Sequence, residues 1–109
     1  METHKRKILS IVLQQAKKYA AQIRKSYQNI DSIYLFGSSV KGNFKKYSDI
    51  DVAVIMKIRE TDFFNIESRL MILRRNIDLR IEPHLITLSD FNEGHPLSEE
   101  ILKNGIKIN

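Results

Sequence analysis

Two aspartates, Asp49 and Asp51, stand two residues apart at the head of an apolar run that continues to Met56. On an extended strand, residues i and i+2 project from the same face, so both carboxylates can converge on one cation. Carboxylate oxygens are hard ligands and suit Mg2+, which also keeps waters and phosphate oxygens in its shell. Two aspartates this close repel each other in a buried strand unless a cation compensates them. Their flanks, Ile50, Val52, Ala53, Val54 and Ile55, are too apolar for a simply solvated face. The same pair in isolation also fits an exposed strand start. Upstream, Gly37 stops a second apolar run and Ser38 follows directly. Glycine lets a backbone approach a ligand closely, and the serine hydroxyl adds a donor. If Ser39 to Lys41 turn into a short helix, its free amides point at an anion. A plain tight turn accounts for the Gly-Ser pair equally well.

In combination these residues are more specific. Leu35-Phe36-Gly37-Ser38, a polar loop, then Ser48-Asp49-Ile50-Asp51-Val52 resembles the nucleotidyltransferase superfamily that includes DNA polymerase β. The size of the chain and its tail, PLSEEILKNGIKI, are similar to the minimal nucleotidyltransferase (MNT) family, and the likeness runs from Asp31 onward. Lys41 departs from the pattern, since many members carry arginine before the glycine. Lysine keeps the charge but lacks the bidentate fork.

The resemblance implies transfer of AMP from ATP onto a hydroxyl. Asp49 and Asp51 would hold Mg2+, Gly37 and Ser38 would anchor the β- and γ-phosphates, and Lys41 would add charge at the nucleotide. A third carboxylate belongs on a later strand. Asp78, between Ile77 and Leu79, matches the apolar-acid-apolar pattern, completing a catalytic and metal-binding set of Asp49, Asp51 and Asp78. Glu82 shares its face of an extended segment but lies about 13 Å further along, so both cannot complete one site. Arg80 between them offsets charge or touches a phosphate. Many MNT proteins are encoded beside a HEPN ribonuclease-type protein and act as its antitoxin, some by adding AMP to a tyrosine of the toxin. The resemblance therefore implies ATP and a HEPN-type protein as partners. The alternative is a non-catalytic module that neutralises its partner by contact alone.

The elements that must position these residues are legible in outline. From His4 to Gln28, Ile8, Ile11, Val12, Ala16, Tyr19, Ala20 and Ile23 recur at three- and four-residue steps, the mark of an amphipathic helix. Ser32 to Phe36 reads as a strand, and Ser38 to Ser48 as a loop with Gly42, Asn43 and three lysines, Lys41, Lys45 and Lys46. Asp49 to Met56 reads as a second strand. Thr61 can cap a helix to about Arg75. Ile77 to Ile81 alternates as a strand, and Pro83 interrupts it or marks an edge. Ser98 can cap a short helix over Glu99 to Asn104, ended by Gly105, with a last strand at Ile106 to Ile108. The expected fold is α/β (α+β): one domain over residues 1–109, a polymerase β-like core with helices packed on a small mixed sheet.

Size and composition bound the rest. With 109 residues there is room for one modest core and no separate cap domain. Eighteen Lys and Arg against 13 Asp and Glu give a net charge of +5, which favours phosphorylated ligands, nucleic acid or an acidic protein. The absence of cysteine excludes disulfide scaffolds, Cys-based zinc sites and thiol nucleophiles, and makes the cytoplasm the default compartment. No apolar run approaches the roughly 20 residues that span a bilayer. His4, His84 and His95 are too scattered for metal spacing and read as surface or loop residues. Tyr34, Phe44 and Tyr47 are too few for a platform that stacks single-stranded nucleic acid. Phe63, Phe64, Leu70, Met71 and Leu73 read as core or homo-oligomer contacts. The basic face of the first helix is either solvated or a dock for an acidic partner.

Overall fold

Four strands, β1 (Ile30–Phe36), β2 (Ile50–Met56), β3 (Ile81–Thr87) and β4 (Ile106–Lys107), form one mixed sheet in the order β3-β2-β1-β4. The computed structural model describes residues 2–109 except 46, 58 and 60, and excludes the side chains of residues 2 and 3. Lys46 of the loop thus lies outside the described residues. β1 is antiparallel to β2 and to β4, whereas β2 and β3 run parallel. A parallel pair needs a crossover, supplied here by α3 (Phe63–Leu73) and a 3-10 turn over Arg74–Asn76.

β2 is central and covered on both faces, which explains its continuous apolar run. On one face, Val52, Val54 and Met56 pack with Ile33 and Leu35 against Val12, Ala16, Tyr19, Ala20 and Ile23 of α1 (Glu2–Ser26) and against Ile66 and Leu70 of α3. Tyr19 is fully buried there, its hydroxyl donating to the Leu70 carbonyl at 2.6 Å. On the other face, Phe36, Ala53, Ile55 and Ile86 pack with Phe91 and Ile101. These last two come from α4 (Leu88–Asn92) and α5 (Ser98–Asn104). A further short helix, α2 (Ser38–Lys41), follows β1 directly.

Several boundaries differ from expectation. The segment Ile77–Arg80, read as a strand, is a turn, and the strand begins at Ile81 and continues through Pro83 to Thr87. Gln15 Nε2 donates to the Ile77 carbonyl at 3.1 Å, and Arg74 donates to the carbonyls of Leu79 and Ile81 at 2.8 and 3.1 Å. Those side chains satisfy carbonyls of the turn and of the first residue of β3, while the Arg80 carbonyl between them accepts from the Ile50 amide of β2 at 2.8 Å. Pro83 is accommodated because β3 is an edge strand. α3 starts two residues after Thr61, with Asp62 at the N-cap and no side-chain cap bond. Ser98 is the first residue of α5 rather than its cap, and its Oγ donates to the Phe91 carbonyl at 2.7 Å. Among the described residues no helix is long and apolar enough to cross a membrane.

Candidate active site

The chain leaves β1 at Phe36 and turns at Gly37, whose φ of 83° and ψ of −152° lie in a region essentially reserved for glycine. A Cβ there would overlap Asp51 Oδ2 and sit 3.2 Å from its Cγ. The glycine is therefore required twice, by its backbone and by the neighbouring carboxylate. Ser38 opens α2, and the Gly37 carbonyl accepts from the amides of Val40 and Lys41, both at 3.2 Å. Ser39 behind it is buried, and its Oγ has no hydrogen-bond partner among the described residues.

Asp51 lies opposite Phe36 in the antiparallel pair and beside Glu82 in the parallel pair. Register partners project from the same face of a sheet, so Phe36, Asp51 and Glu82 form a row across three strands. This row sits where β1 ends and β2 and β3 begin, next to the Gly37 turn. Asp49 is exposed, just before β2.

Asp78, the expected third carboxylate, is placed differently. It lies in the turn before β3 and not on a strand. Both of its oxygens are taken by Arg80: Nε to Oδ1 at 3.0 Å and an η-nitrogen to Oδ2 at 2.7 Å. The Arg80 amide also donates to Oδ1 at 3.0 Å. These hydrogen bonds from Arg80 hold the Asp78 carboxyl below the usual aspartate range against the opposing effect of burial, and the same pairing raises the guanidinium. Glu82, not Asp78, is the acid that the sheet register sets beside Asp51.

Two further residues complete the surroundings. His84, read from the sequence as a surface or loop residue, is on β3 opposite the small Ala53. Its Nε2 is 3.1 Å from Asp51 Oδ1, and its ring meets Phe36 edge-on at 5.2 Å between centroids. Asp51 is thus held between a histidine and a glycine. No local signal in the sequence announces that contact, because its partners are 33 residues apart. Lys41, expected at the nucleotide, forms an ion pair with Glu100 of α5.

Whether this set suits Mg2+ turns on its donors. Asp49, Asp51 and Glu82 offer only carboxylate oxygens, and the missing Cβ of Gly37 leaves the space that Asp51 Oδ2 occupies. Among the described residues no group of three or more His, Asp or Glu side chains is gathered closely enough to hold a metal unaided. Mg2+ does not need such a cage, since it is usually held by one or two carboxylates together with waters and substrate phosphates. The aspartate pair therefore fits a metal that is completed by a nucleotide.

No protein with a curated description matches the chain significantly. Among solved structures, a candidate nucleotidyltransferase from Sulfolobus solfataricus superposes with a TM-score of 0.66 at 21% identity, over 94% of this chain and 84% of that one. A mutant of the toxin–antitoxin pair MntA–HpeT gives 0.55 at 20% identity, over 84% and 70%. A toxin–antitoxin structure with AMP-PNP gives 0.57 at 20% identity, over 85% and 72%. These likenesses concern the fold. The family description "Polymerase beta, Nucleotidyltransferase" matches residues 18–109, a span that contains the Gly37-Ser38 turn, both aspartates and the whole sheet, and the chain belongs to that family.

Proposed function

We propose that this chain transfers AMP from ATP to a hydroxyl, and that the acceptor is a tyrosine of a HEPN-type partner protein that it thereby neutralises. The observation that carries the reading is the row of Asp51 and Glu82 beside the Gly37 turn, with Asp49 two residues upstream of Asp51. The Gly37 backbone and Ser38 hydroxyl would bind the β- and γ-phosphates. Asp49, Asp51 and Glu82 would hold Mg2+, which when bound supplies charge neutralisation at the triphosphate. Glu82 replaces Asp78 in the proposed set because the Asp78 carboxylate is engaged by Arg80.

In the reaction the acceptor oxygen bonds to the α-phosphorus, the bond from that phosphorus to the bridging oxygen breaks, and pyrophosphate leaves. The hydroxyl proton passes to a site carboxylate, for which Glu82 is the candidate. His84 orients Asp51 through the 3.1 Å contact. The chain's own contribution is positioning and preorganised charge. The toxin–antitoxin neighbours, one of them with AMP-PNP, support both the partner and the nucleotide in this reading.

Incubation with ATP, Mg2+ and the partner tests it: mass spectrometry should show adenylate added to a partner tyrosine. A tight complex with no added mass would favour neutralisation by contact alone.

A further inference from the structure

The chain itself carries the kind of hydroxyl that its proposed reaction consumes. Of its four tyrosines, Tyr19 is fully buried and donates to the Leu70 carbonyl at 2.6 Å, and burial pushes its phenol far above the ordinary range. Tyr27 is half-buried and packs against the larger core. Tyr34 is half-buried on β1 and stacks on Phe91 with 6.2 Å between ring centroids. Tyr47 differs from all three. It is 86% exposed and stands two residues before Asp49, which is exposed as well. The turn that bears it is closed twice: the Ser48 amide donates to the Lys45 carbonyl and the Lys45 amide to Ser48 Oγ, each at 2.9 Å. The turn thus presents Tyr47 to solvent, and the chain passes through Ser48 directly into the aspartates. The Cα atoms of Tyr47 and Asp49 are at most about 7 Å apart, because two residues of chain span no more. A tyrosine side chain is about as long as that gap, and at this exposure its ring has room to turn about its side-chain bonds.

We infer that Tyr47 is an acceptor for the chain's own site, taking AMP onto its hydroxyl from ATP bound at Asp49, Asp51 and Glu82 of the same molecule. This deepens the reading of the chain as an adenylyltransferase and rests on it. The phenol oxygen bonds to the α-phosphorus, the bond from that phosphorus to the bridging oxygen breaks, and pyrophosphate leaves. The phenolic proton passes to Glu82, and the product is a phosphodiester on Tyr47. Proximity selects the same molecule over a second copy. Tethering through one intervening residue keeps this acceptor at an effective concentration on the order of millimolar or above, which a second copy in dilute solution does not reach. Burial removes Tyr19 from the choice, and packing holds Tyr27 and Tyr34 against the cores.

The test uses the full chain with ATP and Mg2+ and no other protein. Intact-mass spectrometry should show one adenylate per chain, and fragmentation should place it on Tyr47. Tyr47→Phe should abolish the added mass, as should Asp49→Asn combined with Asp51→Asn. The rate per chain should stay constant over a roughly 100-fold dilution, as a step within one molecule requires. A second readout needs no turnover. The chain has no tryptophan, so Tyr47→Trp provides a single emitter beside the aspartates. Its fluorescence should change when Mg2+ and an ATP analogue with a methylene between the α- and β-phosphates saturate the site, with saturation followed by calorimetry. Adenylate on another residue, a rate that falls with dilution, or emission unmoved by bound nucleotide overturns the inference. A chain that stays unmodified while a HEPN-type partner gains adenylate also overturns it and leaves the proposed activity standing. If neither the chain nor the partner gains adenylate, both readings fall.

Discussion

Replacing Gly37 by alanine probes the site and the fold at one atom. The residue's φ of 83° and ψ of −152° cost a non-glycine residue about 1–3 kcal/mol. The new methyl would also overlap Asp51 Oδ2, so the aspartate must swing away and its 3.1 Å contact with His84 is lost. Together these amount to about 3 kcal/mol, or a fall of about 12–24 °C in melting temperature for a domain of this size. Gly42 provides the internal control. It has a comparable φ of 85° at the end of α2, but a Cβ added there would meet nothing within 4 Å. Gly42→Ala should therefore show only backbone strain, about 1–2 kcal/mol, and keep its affinity for ATP with Mg2+. Gly37→Ala should lose at least a factor of about ten in that affinity, equivalent to about 1.4 kcal/mol. Denaturant melts and calorimetry on the two variants give both quantities. Equal affinity loss in the two variants, or none in Gly37→Ala, would refute the claim that Gly37 makes room for the Asp51 carboxylate.

Asp49→Asn combined with Asp51→Asn should abolish Mg2+-dependent ATP binding while the melt stays cooperative; calorimetry checks it, and undiminished binding would remove the pair from the site. Glu82→Gln should lower AMP transfer by roughly 100-fold or more, whereas Asp78→Asn should change it little; a radiolabel transfer assay gives the order. Asp78→Asn should instead lower stability by about 1–2 kcal/mol through its bonds to Arg80. The Asp78 carboxyl titrates below the ordinary range in the fold, so its stabilisation is present above the usual aspartate value near 4. It is lost as the pH falls through the depressed folded-state value, and melts of parent and variant should converge there. His84→Ala should weaken Mg2+ binding about 10–100-fold, the usual cost of losing a partner of a ligating carboxylate, with partial recovery in His84→Asn.

Much of this architecture is legible in the residues alone. α1, β1 and β2 announce themselves through the three-and-four spacing from Ile8 to Ile23 and the unbroken run from Ile50 to Met56. The family resemblance rests on the Gly37-Ser38 and Asp49-Asp51 segments, and both lie within the matched span. The segment after α3 misleads for a physical reason. Ile77, Leu79 and Ile81 alternate as a strand does, but the first two lie in a turn in which the amides of Ile77 and Asp78 donate to the Arg74 carbonyl and the Ile81 amide donates to the Asp78 carbonyl. The true strand contains a proline and a histidine, residues that local propensity counts against it. α4 escapes the pattern reading as well, although Thr87-Leu-Ser-Asp90 carries a cap signal: Thr87 Oγ1 accepts from the Asp90 amide at 3.2 Å. The ion pair of Lys41 with Glu100, like the contact of His84 with Asp51, joins residues far apart in the chain and leaves no local trace.

Pro83 has a consequence for how this molecule can assemble with others. It sits within β3, the outer strand on one side of the sheet, while the opposite side ends in β4, only two residues long. An extended peptide recruited as an additional strand needs a run of outward-facing amides and carbonyls to hold it. On the β3 side the proline removes an amide from that run, and on the β4 side the template is too short. Neither border favours fibril-like stacking or capture of a stray strand. Lasting contacts with another macromolecule are thereby directed to side-chain surfaces on the helices and loops, where composition can discriminate one visitor from another in a way that a bare backbone cannot.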